Sequence, residues 1–230
     1  MNRIHPTAVI DPSVVLGDGN VIGPYAIVLG NTTIGDDNWI GPHAAIGTPA
    51  QMRGGPHVAC WDGESESGSI SIGSRNVIRE FATVHMSTTG KTTIADDCYF
   101  MTQAHVPHDA TIESGVTLSN SAQLGGHTII QAGANIGLGA VIHQRTVVGT
   151  RVMVGMGTVV TKHVPPFSMF FGSPGRVRGG NIVGMERSGI SPEIAAQIAE
   201  LLTAGKFEDL KDLAAREYES FQAAVERISH

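Results

Sequence analysis

Long apolar runs, basic clusters and cysteines are all scarce in this 230-residue sequence, and each scarcity removes a class of protein. No apolar stretch approaches the roughly 20 residues that cross a bilayer as a helix. The net charge is −6 with only 16% charged residues and no Lys/Arg run, so bulk attraction to nucleic acid or an anionic membrane is not expected. The two cysteines, Cys60 and Cys98, do not make a disulfide framework, and a reduced, cytoplasmic setting is expected. The opening MNRIHPTAVIDPS has no apolar core of the kind a signal peptide needs, and none is expected.

What the chain has in excess is glycine, 29 residues spread along its length, where turns must recur. Between them runs a period of six. Ile94, Phe100, Val106, Ile112, Leu118, Leu124, Ile130, Ile136, Ile142, Val148, Val154 and Val160 are all apolar, against 41% for the whole sequence. Ile4, Ile10, Leu16, Ile22, Val28, Ile34, Ile40 and Ile46 keep the same spacing. Neither a helix nor a strand has this period. A short fixed period marks a solenoid, and six residues per side predicts a mostly β chain folded as a left-handed parallel β-helix, with three hexads per triangular coil. The sixth residues point inward. The Gly or small polar residues beside them, such as Gly17, Gly23, Gly35 and Gly41, are expected to form corners where positive φ is needed.

The register breaks twice, between Ile46 and Ile72 and between Val84 and Ile94, which predicts loops at about 48–70 and 86–92. Both precede the histidine-rich coils and read as functional lips. The β-helix is expected over 1–164, followed by an extended, proline-containing connection over 165–190. A short C-terminal α-helical domain over 191–230 follows. Ser191 and Pro192 form an N-cap and N1 pair that opens a helix to about Thr203, and Gly205 ends it. Phe207 to about Ile228 reads as a second helix. This tail is expected to cap the open end of the solenoid.

Residues 18 apart stack on successive coils. His108, Gly126 and Gln144 therefore share one column, and Asp109, His127 and Arg145 the next. With His105 and His143 close in sequence, the repeat gathers histidines, a carboxylate and an amide around a notch at Gly126. A neutral imidazole is a suitable general base near pH 7, a carboxylate can fix its tautomer, and a backbone N–H could hold an oxyanion. Two other readings of these residues stay open: solvated or interface histidines on a non-catalytic trimer, and a zinc site of His105, His108 and His127 as in a carbonic-anhydrase-like trimer.

At AHVPHD (Ala104–Asp109), LGGH (Leu124–His127) and VIHQ (Val141–Gln144) the chain resembles the acyl-ACP:UDP-N-acetylglucosamine O-acyltransferases of lipid A biosynthesis. IHPTAVIDPSVVLG, IGSRNVIREFATVH, VPPF and NIVGMERSGIS extend the resemblance over nearly the whole chain. It implies a homotrimer with active sites between subunits, taking a fatty acyl group from acyl-carrier protein to a UDP-amino sugar without a cofactor or metal. His108 would be the general base acting on the sugar 3-hydroxyl, and Asp109 would orient base or substrate. His105 and His127 would contact the sugar, and His143 and Gln144 would line the nucleotide or acyl pocket. Gln51, Asn181 and Arg187 would be further substrate contacts. Met156 would end the acyl-chain groove.

The chain departs from the family's pattern at Met52 and Gly54, where an acidic residue and a lysine are usual, and at Val183 and Ser188. GSPGR (Gly172–Arg176) resembles the simpler acetyl-CoA-dependent sugar acetyltransferases, and the helical tail is shorter. An acyl-CoA donor, with another nucleotide-linked sugar or amine as acceptor, is the alternative these departures favour.

Overall fold

A computed structural model describes residues 1–55, 57 and 68–229 of the chain. They form a left-handed parallel β-helix of about nine turns with helices at its C-terminal end. Strands of two to four residues stack into three sheets that make the sides of a triangular prism. Inward residues lie directly over one another: Ile4 pairs with Ile22, Ile22 with Ile40, and Leu118 with Ile136. The inner column Ile22, Ile40, Ile78, Phe100, Leu118, Ile136 and Val154 is almost wholly buried. In the first coil described, Ile4 is 44% exposed.

The two insertions leave the ladder in phase. Ile40 pairs with Ile78 and Ile78 with Phe100, so the ladder resumes after each insertion at the position where it broke off. Most of the first loop, with Cys60, lies outside the described residues.

The corners differ from the sequence-based expectation. Gly17, Gly23, Gly35 and Gly41 do not take positive φ. They are glycine because the next coil passes too close: a Cβ on Gly17 would lie 2.8 Å from the backbone of Gly35, and one on Gly23 would lie 2.9 Å from the nitrogen of Pro42. Positive φ falls on the third residue after the inward one, and side chains of any size occupy it: Tyr25, His43, Phe81, Asp109, His127 and Arg145. Each such residue costs about 1 kcal/mol. In compensation, their N–H groups bond to the coil before, most to a backbone carbonyl, as where Arg75 donates to that of Asp36 and Ser121 to that of Thr102, and those of Tyr25 and Asp109 to the hydroxyls of Thr7 and Thr92.

A buried asparagine ladder ties the early coils together. The Oδ1 of Asn20 accepts from the N–H of Asn38, that of Asn38 from Asn76, and that of Asn76 from Cys98, at 2.7–2.9 Å. Cys98, a free buried thiol, ends the ladder.

Residues 165–190 are not an extended connection. Ser168–Gly172 and Gly175–Gly180 form an antiparallel hairpin that continues one side of the prism, and Ile182–Arg187 is a short helix, α1. Alternating apolar residues, Phe170 and Val177 among them, face the last coil and its cap and favour the hairpin. Helix α2, Pro192–Thr203, is capped by the Ser191 hydroxyl and lies so close to the hairpin that a Cβ on Gly180 would meet Ala199 at 2.7 Å. The span expected as one second helix is two pieces, a 3-10 turn Phe207–Asp212 and helix α3, Ala215–Ser229. Only the first part caps the prism. Helix α3 runs back along its flank, burying Phe221, Ala224 and Ile228 against Ile129 and Val147. No helix among the described residues is long and apolar enough to cross a membrane.

Replacing Asn38 by alanine removes the acceptor for the buried N–H of Asn76 and should lower unfolding stability by about 2–4 kcal/mol, read from the urea midpoint at constant m-value.

Candidate active site

The corner after Val106 carries His108 and Asp109, and the equivalent corner one coil on carries Gly126 and His127. Asp109 and His127 both have positive φ, 58° and 59°, which turns their side chains outward on one edge of the prism. The His127 N–H donates to the carbonyl of His108, and the Arg145 N–H to that of Gly126, so these coils are fastened to one another through backbone.

On that edge the side chains meet. His108 Nδ1 donates to Asp109 Oδ2 at 2.8 Å, which leaves the Nε2 lone pair free of that bond. The rings of His108 and His127 meet edge to face with centroids 5.2 Å apart, and His127 Nε2 lies 3.7 Å from the same carboxylate oxygen. Burial acts to raise the Asp109 carboxyl, but hydrogen bonds from the Thr88 hydroxyl, His108 and the Thr88 amide hold it below the ordinary carboxylate range. His127 is pushed down by burial, with Asp109 opposing and Arg145 and His108 reinforcing.

Gly126 was expected to leave an open notch. The edge of the His108 ring occupies it: a Cβ there would stand 2.7 Å from His108 Nε2. Glycine is what lets the imidazole lie flat against the coil above.

His105 sits one strand back. Its Nδ1 bonds Thr83 Oγ1 at 2.8 Å, and burial, with His85 and His108 nearby, brings it down to about 4. His85, only 8% exposed, packs edge-on against His105, and its Nδ1–H donates to the carbonyl of Pro49, 2.8 Å away. The sequence reading passed over His85, Thr83 and Thr88. The signal was there, because counting 22 instead of 18 across the second insertion pairs Thr83 with His105.

The other expected residues lie elsewhere on this chain. His143 and Gln144 are exposed on the next coil, with His143 Nδ1 3.0 Å from the Gln144 carbonyl. Gln51 is exposed at the start of the first loop. Asn181 caps α1, its Oδ1 accepting from Gly184 and its Nδ2 donating to the carbonyl of Arg151, while Arg187 is exposed in the last turn of α1. Met156 stands 77% exposed over Leu138.

The metal reading changes its members. Among the described residues, those whose ligand atoms lie within 4.8 Å of one another are His108, Asp109 and His127, and His105 is not one of them. On the far side of Asp109 a cleft of about 120 Å³ is walled by Thr111, His127, Arg145, Arg227 and Ile228, the last two from α3. A larger cleft of about 690 Å³ lies between the hairpin and the C-terminal helices, lined by Lys162, His163, Phe170, Arg176 and Tyr218, and it contains none of the clustered histidines.

Gly126→Ala should fold normally, because only the movable His108 ring obstructs the new methyl, yet lower kcat at least about tenfold by displacing that ring. Gly125→Ala, whose methyl would meet the Gln144 backbone at 2.4 Å, should instead lower the melting temperature.

Comparison with known proteins gives this arrangement a family. A family model described as "Udp N-acetylglucosamine O-acyltransferase; Domain 2" matches residues 163–226. The acyl-[acyl-carrier-protein]–UDP-N-acetylglucosamine O-acyltransferase of Paraburkholderia xenovorans is 41% identical over 208 residues, covering 84% of this chain and 79% of the relative. That of Paraburkholderia phytofirmans is 42% identical over the same shares. Among solved structures, the UDP-N-acetylglucosamine acyltransferase of Campylobacter jejuni superposes with a TM-score of 0.76 at 26% identity, over 86% of this chain and 82% of that one. The enzyme of Bacteroides fragilis does so with a TM-score of 0.76 at 28% identity, over 97% and 90%. A prism of this length, closed by a matching C-terminal domain and carrying relatives above 40% identity, makes the chain an acyltransferase that belongs to the acyl-[acyl-carrier-protein]–UDP-N-acetylglucosamine O-acyltransferase family.

Proposed function

We propose that the protein moves a fatty acyl group from acyl-carrier protein to a hydroxyl of a UDP-amino sugar of the UDP-N-acetylglucosamine type, in lipid A biosynthesis. The observation that carries this reading is the His108–Asp109 hydrogen bond, which commits Nδ1 as a donor and leaves Nε2 to accept a proton. His108 Nε2 takes the proton of the sugar 3-hydroxyl as its oxygen attacks the thioester carbonyl. The new C–O bond forms, the C–S bond breaks, and His108 returns the proton to the departing thiolate. Asp109 stabilises the imidazolium that exists between those events.

His105, neutral because it is held near 4, and His127 contact the sugar. His143 and Gln144 line the nucleotide or acyl pocket, and Gln51, Asn181 and Arg187 reach the nucleotide sugar. These residues and Met156 lie away from His108 on one chain, so the reading includes a homotrimer with sites between subunits. The exposed Leu138, Val141 and Met156 on the flank support it. The free thiol of Cys98 fits a reducing, cytoplasmic setting.

His108→Ala should lower kcat at least about 100-fold without unfolding the protein, and dialysis of the native enzyme against a chelator should leave its activity intact. Activity lost on chelation and restored by one equivalent of zinc would make His108, Asp109 and His127 a metal site instead. In the same assay Met156→Gly should shift preference toward longer acyl donors, and an unchanged chain-length profile would remove Met156 as the end of the acyl groove.

A further inference from the structure

We infer that the four-residue insertion around Ser87–Lys91 is a latch for the Asp109 carboxylate, with Thr88 as a positioning residue for the His108 base. This rests on the reading of His108 given above.

The ladder shows why a latch is needed at this corner. At the next two corners of this edge the positive-φ residue gives its N–H to a carbonyl of the coil below, His127 to His108 and Arg145 to Gly126. For Asp109 the corresponding carbonyl would be that of Met86. The insertion begins there and carries the chain away, and the Asp109 N–H donates to Thr92 Oγ1 instead, at 2.9 Å. The insertion thus removes a regular backbone bond under the one carboxylate of the cluster.

It supplies a denser set in return. The Thr88 N–H lies 3.1 Å from both carboxylate oxygens, the Thr88 hydroxyl donates to Oδ2 at 2.7 Å, and the Thr89 N–H lies 3.5 Å from Oδ1. Oδ1 is held by backbone, and Oδ2 is shared between the Thr88 hydroxyl and His108 Nδ1. The latch itself is anchored. Met86 is fully buried against Gly30, and the buried Ser87 hydroxyl donates to the carbonyl of Gly90 at 2.7 Å and accepts from the Ser69 N–H at 2.9 Å. With Met86 and Ser87 anchored ahead of it, Thr88 is set over the Asp109 carboxylate. The carboxylate cannot rotate away from His108, so the imidazole keeps its Nδ1 proton and presents Nε2 to the substrate.

Thr88→Val keeps the shape of the side chain and both backbone contacts while deleting the hydroxyl. With the donor and acceptor that turn over for the native enzyme, it should lower kcat roughly ten- to a hundredfold, the range for one hydrogen bond to a charged group. KM should stay within about twofold and the melting temperature should not change, while Thr88→Ser should restore most of kcat. Thr88→Ala deletes the same hydroxyl and replaces the valine variant if that one does not fold. A hydroxyl-free variant with native kcat, or a serine variant as impaired as the valine one, would overturn the latch. His108→Ala is measured alongside: if it is inactive while Thr88→Val is fully active, only the latch fails, and if His108→Ala is active, the reading of the base fails and the latch with it.

Discussion

Everything in this protein depends on one constraint: each coil must pass its backbone hydrogen bonds to the next in phase. A strand two residues long has no stability of its own. It exists because its N–H and C=O groups meet those of the coils above and below, and because its single inward side chain fits between two others. A slip by one residue would turn the inner column outward on that side. The chain therefore tolerates insertions only where they return to the position they left, as both loops do. The asparagine ladder reinforces the same phase with side chains, and it does so where the prism is least covered, in the coils leading from the exposed N-terminal end.

That constraint is also why so much of the fold could be read from the sequence. A sixfold apolar period has one common structural solution, and the stacking of His108 on Gly126 and Gln144 follows by counting. Ser191, Pro192 and Gly205 bound α2 because capping is local chemistry. What resisted reading was what the period does not encode. The positive-φ positions hold Tyr25, Phe81 and His127 because the ladder imposes the conformation, so composition does not mark them. The hairpin at Ser168–Gly180 lies beyond the last hexad, where its alternation is short and interrupted by Pro174. The return of α3 was signalled by Ile129–Ile130 and Val147–Val148, pairs that are apolar on both faces, but Val159–Val160 and Val9–Ile10 are similar pairs without a helix over them.

The histidine cluster was legible in part, for a related reason. His108 and Asp109 adjoin in sequence, and the 18-residue step sets His127 on the coil beside them. His85, Thr83 and Thr88 are joined to them across a longer step, set by the second insertion and seen in the pairing of Thr83 with His105. Side chains at the corner position stand outward on a rigid edge whose geometry is set by backbone on neighbouring coils. Such an edge holds a proton acceptor more firmly than a free loop would.

The return of α3 has a consequence for how the molecule is made. Nearly all contacts in the prism join residues about one coil apart, so it can assemble progressively as the chain leaves the ribosome. The wall of the small cleft beside Asp109 and His127 is different. Arg227 reaches Thr111 across 116 residues and the Ile228 carbonyl meets Arg145 across 83, at 3.5 Å each. Contacts of that span close slowly. The histidine edge is built before α3 and stays unroofed on that side until Ala215–Ser229 has been made and has docked.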